Sequence, residues 1–155
     1  MGKTQDTDDP EYKARATALR LLARREHSRS ELTRKLRQRE LPAGIIASVL
    51  DEYEQEGWLS DERFADVYGR QRFDLGYGPL RIRSELQQRG VSLWPPSLAK
   101  LTDRDWIEQA IRTREKKFGL QSVSDDWSEK ARQARFLVQR GFTSQQAERA
   151  IEAGG

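Results

Sequence analysis

One short phrase occurs three times in this chain, at spacings of 50 and then 51 residues. Leu36-Arg37-Gln38-Arg39-Glu40-Leu41-Pro42 is echoed by Leu86-Gln87-Gln88-Arg89-Gly90-Val91-Ser92 and by Leu137-Val138-Gln139-Arg140-Gly141-Phe142-Thr143. Each copy reads as a helix end, a tight turn, one buried apolar residue and the start of another helix. Leucine anchors the helix, glycine supplies the positive φ that ends it, and Leu41, Val91 or Phe142 plugs the turn. Glu40 stands where the other copies have glycine, so the first turn must close without one. A repeat of this length marks stacked supersecondary units. Such units offer an extended surface to a large partner and seldom enclose a small-molecule pocket.

Composition points the same way. Only 35% of the 155 residues are hydrophobic and 34% are charged, with a mean hydropathy of -0.90. A unit of about fifty residues then has little apolar surface of its own and gains stability from its neighbours. The expected molecule is all-α and elongated, a tandem array of three three-helix repeats with thin local cores. The expected boundaries are a disordered tail over 1–10 and repeats over 11–58, 59–101 and 102–155.

Net charge is only +3, but the charges are segregated. Residues 11–41 hold ten basic and four acidic side chains, residues 42–66 one basic and seven acidic, and residues 70–90 five basic and two acidic. Alternating patches favour an oriented protein partner as much as nucleic acid, for which one continuous basic stripe is the usual pattern. Absence of cysteine excludes disulfides, thiolate catalysis and cysteine-based zinc sites. The opening residues lack the basic and apolar regions of a signal peptide, and no apolar run approaches the ~20 residues of a membrane span. The expectation is a cytoplasmic protein, working as a monomer.

Helical periodicity runs throughout. Tyr12, Ala16, Leu19, Leu22 and Ala23 form a first stripe. Ser28 with Glu31 makes a capping box for a second helix bearing Leu32 and Leu36. Pro42 opens a third, carrying Ile46, Val49 and Tyr53 up to Gly57. A fourth helix starts at Ser60 with Phe64, Val67, Tyr68 and Leu75 inward, until Gly76-Tyr77-Gly78-Pro79 breaks it at a hinge. Ile82 and Leu86 mark the next, and Pro95-Pro96 leave only a short piece around Leu98 and Leu101. Thr102 caps a helix with Trp106, Ala110, Ile111 and Phe118. Ser124 caps one with Trp127, Ala131, Ala134 and Val138, and Thr143 with Gln146 begins the last, bearing Ala147, Ala150 and Ile151.

Catalytic signatures are missing. His27 is the sole histidine and has no second histidine or cysteine with which to hold a metal. Ser28 and Ser30 lie near it, but nothing places an acid behind the imidazole. No phosphate-cradling glycine loop follows a strand. Neither an enzyme nor a cofactor is expected.

The middle segment, LSDERFADVYGRQRFDLGYGPLRIRSELQQRGV from Leu59, is the most distinctive. Arg70 and Arg72 approach the break from one side, Arg81 and Arg83 leave it on the other, and Phe73 and Tyr77 lie between. Guanidinium groups beside aromatics at a helix corner can clamp carboxylates or phosphates and stack on flat surfaces. The same pattern is equally compatible with local core aromatics rimmed by solvated arginines.

Here the chain resembles the RecX family of bacterial regulatory proteins. The likeness is carried by Leu59, Asp61, Arg63-Phe64-Ala65, Tyr68, Arg72, Gly76, Gly78, Arg81-Ile82, Glu85-Leu86 and Gly90, with ALRLLARREHSRSELTRKL before them and FLVQRGF after. The resemblance implies tandem three-helix repeats that bind the groove of the RecA filament on DNA. It implies inhibition of ATP hydrolysis and strand exchange, with restraint of recombination and the SOS response. Pro95-Pro96, Trp94 and Glu40 depart from the family pattern. From charge and expected exposure, the partner-binding candidates are Arg70, Arg72, Tyr77, Arg81, Arg83 and Arg89, with Arg24, Arg25 and Lys35 as a second patch. Basic helices of this kind also suit single- or double-stranded DNA, so a helical-repeat module acting directly on nucleic acid stays open as the alternative.

Overall fold

The computed structural model describes residues 8–153. Among them are nine helices and no strand: α1 (Pro10–Arg24), α2 (Arg29–Gln38), α3 (Ala43–Gln55), α4 (Asp61–Asp74), α5 (Pro79–Gln88), α6 (Pro96–Ala99), α7 (Asp103–Phe118), α8 (Trp127–Gln139) and α9 (Ser144–Glu152). They form the all-α tandem repeats expected from the phrase. Of the tail expected over 1–10, Asp9 caps α1 by accepting from the Glu11 N–H and Pro10 is already helical. The rest of it, residues 1–7, lies outside the described residues.

Local chemistry sets the helix starts. Ser28/Glu31 and Thr143/Gln146 are reciprocal capping boxes, as is Thr102 with Asp105, so paired donors at each start are satisfied by side chains. α8 is capped by Asp126 and not by Ser124. Pro42 is the cap residue before α3 and not its first turn.

The chain separates into two compact units, one running up to Val67 with Arg89–Leu93, the other comprising Tyr68–Gln88 with everything from Trp94 onward. In the first, α1, α2 and α3 bury Ala14, Ala18, Leu21, Leu32, Leu36, Leu41, Ile46, Val49, Leu50, Tyr53 and Leu59 around one another. In the second, Ile82, Leu86, Leu98, Trp106, Ala110, Leu137, Phe142, Ala147, Ala150 and Ile151 are buried, with α7 lying mainly along α9 and α8.

Several inward stripes differ from expectation by about one position. Tyr12 and Leu19 are 48% and 42% exposed, while Ala14, Thr17, Ala18 and Leu21 face in. Val67 and Leu75 are exposed and Ala65 is buried with Phe64. Trp127 and Val138 are exposed, while Gln133 and Leu137 occupy the buried face of α8. On α1 the small Ala14 and Ala18 take the buried face, which leaves Tyr12 and Leu19 at its flanks. Arg114 of α7 is wholly buried and bonded to neutral acceptors, the Gln133 side chain at 2.8 Å and the Gln121 carbonyl at 2.7 Å.

The repeated turns are built as the phrase implies, and they also join neighbouring repeats. In the first unit, the Ser28 hydroxyl donates to the Arg89 carbonyl at 2.7 Å, and a Cβ on Gly90 would lie 2.3 Å from that of Ser30. In the second, the N–H groups of Gly78 and Leu80 donate to the carbonyls of Arg140 and Gly141 at 2.9 Å each. A Cβ on Gly78 would fall 2.4 Å from the Gly141 carbonyl carbon, and one on Gly141 would fall 2.3 Å from the Arg81 Cβ. Thus the turn of a later repeat sits on the start of the middle helix of the repeat before it, in both units. Gly78, read as part of a hinge, is instead a point of backbone contact.

Glu40 shows the same rule from the other side. It adopts φ 61, in the left-handed region, and its N–H reaches the Arg37 carbonyl at 2.8 Å. Gly141 reaches Val138 at 3.0 Å in the equivalent turn. The geometry survives without glycine at the cost of left-handed strain on a side-chain-bearing residue. Glu40→Gly is expected to raise stability by about 1 kcal/mol, the strain relieved less the extra chain entropy of glycine. Gly78→Ala is expected to cost about 1–3 kcal/mol, because backbone and not a movable side chain meets the methyl. Urea midpoints of the two variants, taken with unchanged slopes, check both signs.

Candidate functional site

The second unit places a carboxylate at the centre of the arginine-rich corner. Glu85 on α5 accepts from the Tyr68 hydroxyl at 3.0 Å, from Arg72 Nε and Nη2 at 2.8 and 3.0 Å, and from Arg81 Nε at 3.0 Å. Spacing explains why these residue types meet: Tyr68 and Arg72 are one helical turn apart on α4, and Arg81 and Glu85 one turn apart on α5. Gly76, at φ 91, helps turn the chain between them. The Glu85 side chain is 14% exposed. Burial pushes its carboxyl up, but the bonds from Arg72, Arg81 and Tyr68 outweigh this and hold it below the ordinary glutamate range.

Tyr77, half-buried in the turn, is surrounded by guanidinium groups. The Cζ atoms of Arg72, Arg140 and Arg81 lie 4.0, 4.4 and 4.7 Å from its ring centroid. Arg81 also donates to the Gln139 carbonyl at 3.2 Å, and Arg140 to the Leu75 carbonyl at 3.4 Å. Ring and carboxylate together hold the arginines in fixed orientations, which lowers the entropy lost when their free edges meet a partner.

Of the residues expected to bind a partner, the structure therefore brings together Arg72, Tyr77 and Arg81. Arg83 stands apart, its guanidinium 4.4 Å from the Trp94 ring. Arg70 is exposed on α4. Arg89 belongs to the first unit and approaches Glu31 at 4.0 Å. Arg25 bonds the same Glu31 at 3.2 Å and the Glu26 carbonyl at 2.7 Å. Lys35 bonds His27 Nε2 at 3.2 Å, and Arg24 is exposed at the end of α1. Arg140 was missed, although it lies in the third repeated phrase. Its Gln-Arg pair reads either as a cap for its own helix or as a contact to a partner, whereas the guanidinium reaches the Leu75 carbonyl just beyond α4.

His27 is buried at 1% exposure and links Arg25 and Lys35 of the second patch. Its Nδ1 lies 3.0 Å from the Arg25 carbonyl, which requires the proton on Nδ1 and leaves Nε2 to accept from Lys35. Burial, with Arg25 and Lys35 nearby, pushes its pKa below the ordinary histidine value despite the Arg25 carbonyl and Glu31. No group of three or more metal-ligating side chains converges among the described residues.

Three family models match the chain in order: the RecX first three-helix domain over residues 14–52, the second over 60–92 and the third over 103–151. The chain belongs to the RecX family. It is 45% identical over 140 residues to the regulatory protein RecX of Halorhodospira halophila, covering 90% of this chain and 86% of the relative. It is 43% identical over 142 residues to that of Pseudomonas fluorescens, covering 91% of each. The fold matches the crystal structure of RecX from Lactobacillus salivarius with a TM-score of 0.80 at 20% identity, over 94% of this chain and 97% of that one. A second RecX regulatory protein structure matches with a TM-score of 0.74 at 23% identity, over 94% and 75%. The chain thus has the RecX repeat fold and belongs with regulatory proteins. No helix among the described residues is long and apolar enough to cross a membrane.

Two measurements probe the charge networks. Glu85→Ala strands partly buried guanidiniums and is expected to cost about 1.5–3 kcal/mol in denaturant unfolding. Because the folded carboxyl is depressed, its contribution is present above the unfolded value near about pH 4.3 and fades as pH falls through the folded value. His27 has the opposite charge type but the same slope. An imidazole with a lowered folded pKa binds its proton more readily in the unfolded chain, so stability drops as pH falls below about 6.5. Unfolding curves between pH 7 and 5 are expected to show this slope in the wild type and to be flat in His27→Gln.

Proposed function

We propose that this protein binds RecA–DNA filaments and negatively regulates the recombinase, restraining ATP hydrolysis, strand exchange and the SOS response. The observation that carries the reading is the ordered match of all three RecX domains along the chain. The arginine corner around Tyr77 supports it, since it offers fixed cationic edges without a nucleophile and base in register. In this reading the repeats over 11–58, 59–101 and 102–155 present one set of contacts each, from a monomer acting in the cytoplasm. Arg70, Arg72, Tyr77, Arg81, Arg83 and Arg89 meet the filament first, with Arg24, Arg25 and Lys35 as a further patch. Basic helices meet the DNA that the filament carries. Regulation then comes from occupancy, and the protein needs no cofactor.

Titration of the protein into cognate RecA on single-stranded DNA, followed by ATP turnover, is the direct test. Turnover is expected to fall as the protein approaches stoichiometry, and the Arg81→Glu plus Arg83→Glu variant to need about tenfold more protein, a loss of about 1.4 kcal/mol. Thermal melts of the variant separate lost contact from lost fold. Unchanged turnover at a stoichiometric excess of wild type removes the proposal. Tight binding to naked DNA with no effect on turnover transfers the case to direct action on nucleic acid.

A further inference from the structure

A groove of about 450 Å³ opens in the second unit between the end of α4, α7 and α8. Its floor carries Leu75 and Phe136, and Arg112, Lys116, Lys117 and Arg140 stand around it with Asp74 as the one acid in the lining. The wall therefore holds an excess of three positive charges in one place, as many as the net charge of the whole chain. Arg112 is tied to the neutral Gln109 side chain at 2.9 Å. Arg140 has a buried Nε without a hydrogen-bond partner, and its Nη2 reaches only a carbonyl, at 3.4 Å. Leu75 is 55% exposed and open to a ligand. Cations without matched carboxylates around an apolar floor are complementary to a ligand that brings both carboxylates and an apolar side chain.

We infer that this groove is a docking site for an acidic peptide segment, with an apolar side chain against Leu75 and Phe136 and its carboxylates on Arg112, Lys116, Lys117 and Arg140. Spacing suits such a ligand. Arg112 and Lys116 are four residues apart on α7, about 6 Å along the axis, close to the advance of two residues in an extended chain. Nucleic acid suits the groove less well. A sugar-phosphate backbone brings charge but no apolar side chain to set against Leu75 and Phe136. Asp74 also opposes a phosphate chain, whereas a peptide can place an N–H against it. The inference deepens the proposed function, resting on a protein partner and naming the chemistry that such a partner presents here.

The probe is a fluorescein-labelled octapeptide with four glutamates and a central leucine, titrated with the full chain in anisotropy measurements at low salt. Saturable binding is expected, weakened at least tenfold in Lys116→Glu plus Lys117→Glu. It should stay within twofold of wild type in Arg34→Glu plus Arg37→Glu, which makes the same charge change on α2. Replacing the leucine by serine should weaken binding severalfold. Absence of saturable binding, or equal losses in the two variants, overturns the inference. So does a single-stranded oligonucleotide that displaces the peptide and loses affinity through the α7 variant alone. ATP turnover by RecA is measured on the same preparations. Inhibition without peptide binding removes only the groove, whereas peptide binding without inhibition keeps the groove and removes the regulatory reading.

Discussion

Close backbone approach at the repeat joints is the constraint on which the rest of the fold depends. Where Gly90 meets Ser30, and where Gly78 meets Gly141, there is no room for even one methyl group. These contacts carry hydrogen bonds between backbone and helix start, from Ser28 to Arg89 and from Gly78 to Arg140. A chain with so few large apolar residues cannot rely on thick cores. It instead satisfies the polar ends of its helices against each other, which avoids the cost of burying unpaired backbone groups. The compact units consequently cut across the sequence repeats, because the turn after α5 packs with the helices of the first unit.

The same joint positions the candidate site. Seating Gly141 on the start of α5 brings Arg140 beside Tyr77, where Arg72 and Arg81 already converge. Three guanidiniums near one ring repel one another, and Glu85 offsets that repulsion by accepting from two of them. Glu85 on α5 thus ties Arg81 of its own helix to Arg72 of α4. Arg140 belongs to both this corner and the cationic groove along α7, so the two surfaces are contiguous within the second unit.

The helical character and the capping boxes at Ser28 and Thr143 could be read directly, because a capping box is local chemistry between residues three apart. The plugs Leu41, Val91 and Phe142 were equally clear, being the lone apolar residues after each helix end. The inward stripes were less so. Tyr12, Leu19, Val67, Trp127 and Val138 have the right periodicity, yet alanines and polar residues take the buried faces beside them. Periodicity alone gives a helix face to within one or two positions. Which face is buried depends on how near the neighbouring helix comes.

Sequence by itself determined the repeat, the all-α class, the helix caps at Ser28 and Thr143 and the placing of Arg72 and Arg81 about one helix corner. All of these follow from contacts within one helix or one turn. Tertiary structure decided that Gly78 is a contact and not a hinge, that Arg140 stacks on Tyr77, and that Arg89, Arg25 and Lys35 are engaged in the first unit. The Gly78, Arg140 and Arg89 contacts join residues tens of positions apart, while Arg25 and Lys35 meet their partners around the turn between α1 and α2, and all are set by the three-dimensional fit of surfaces more than by helix spacing.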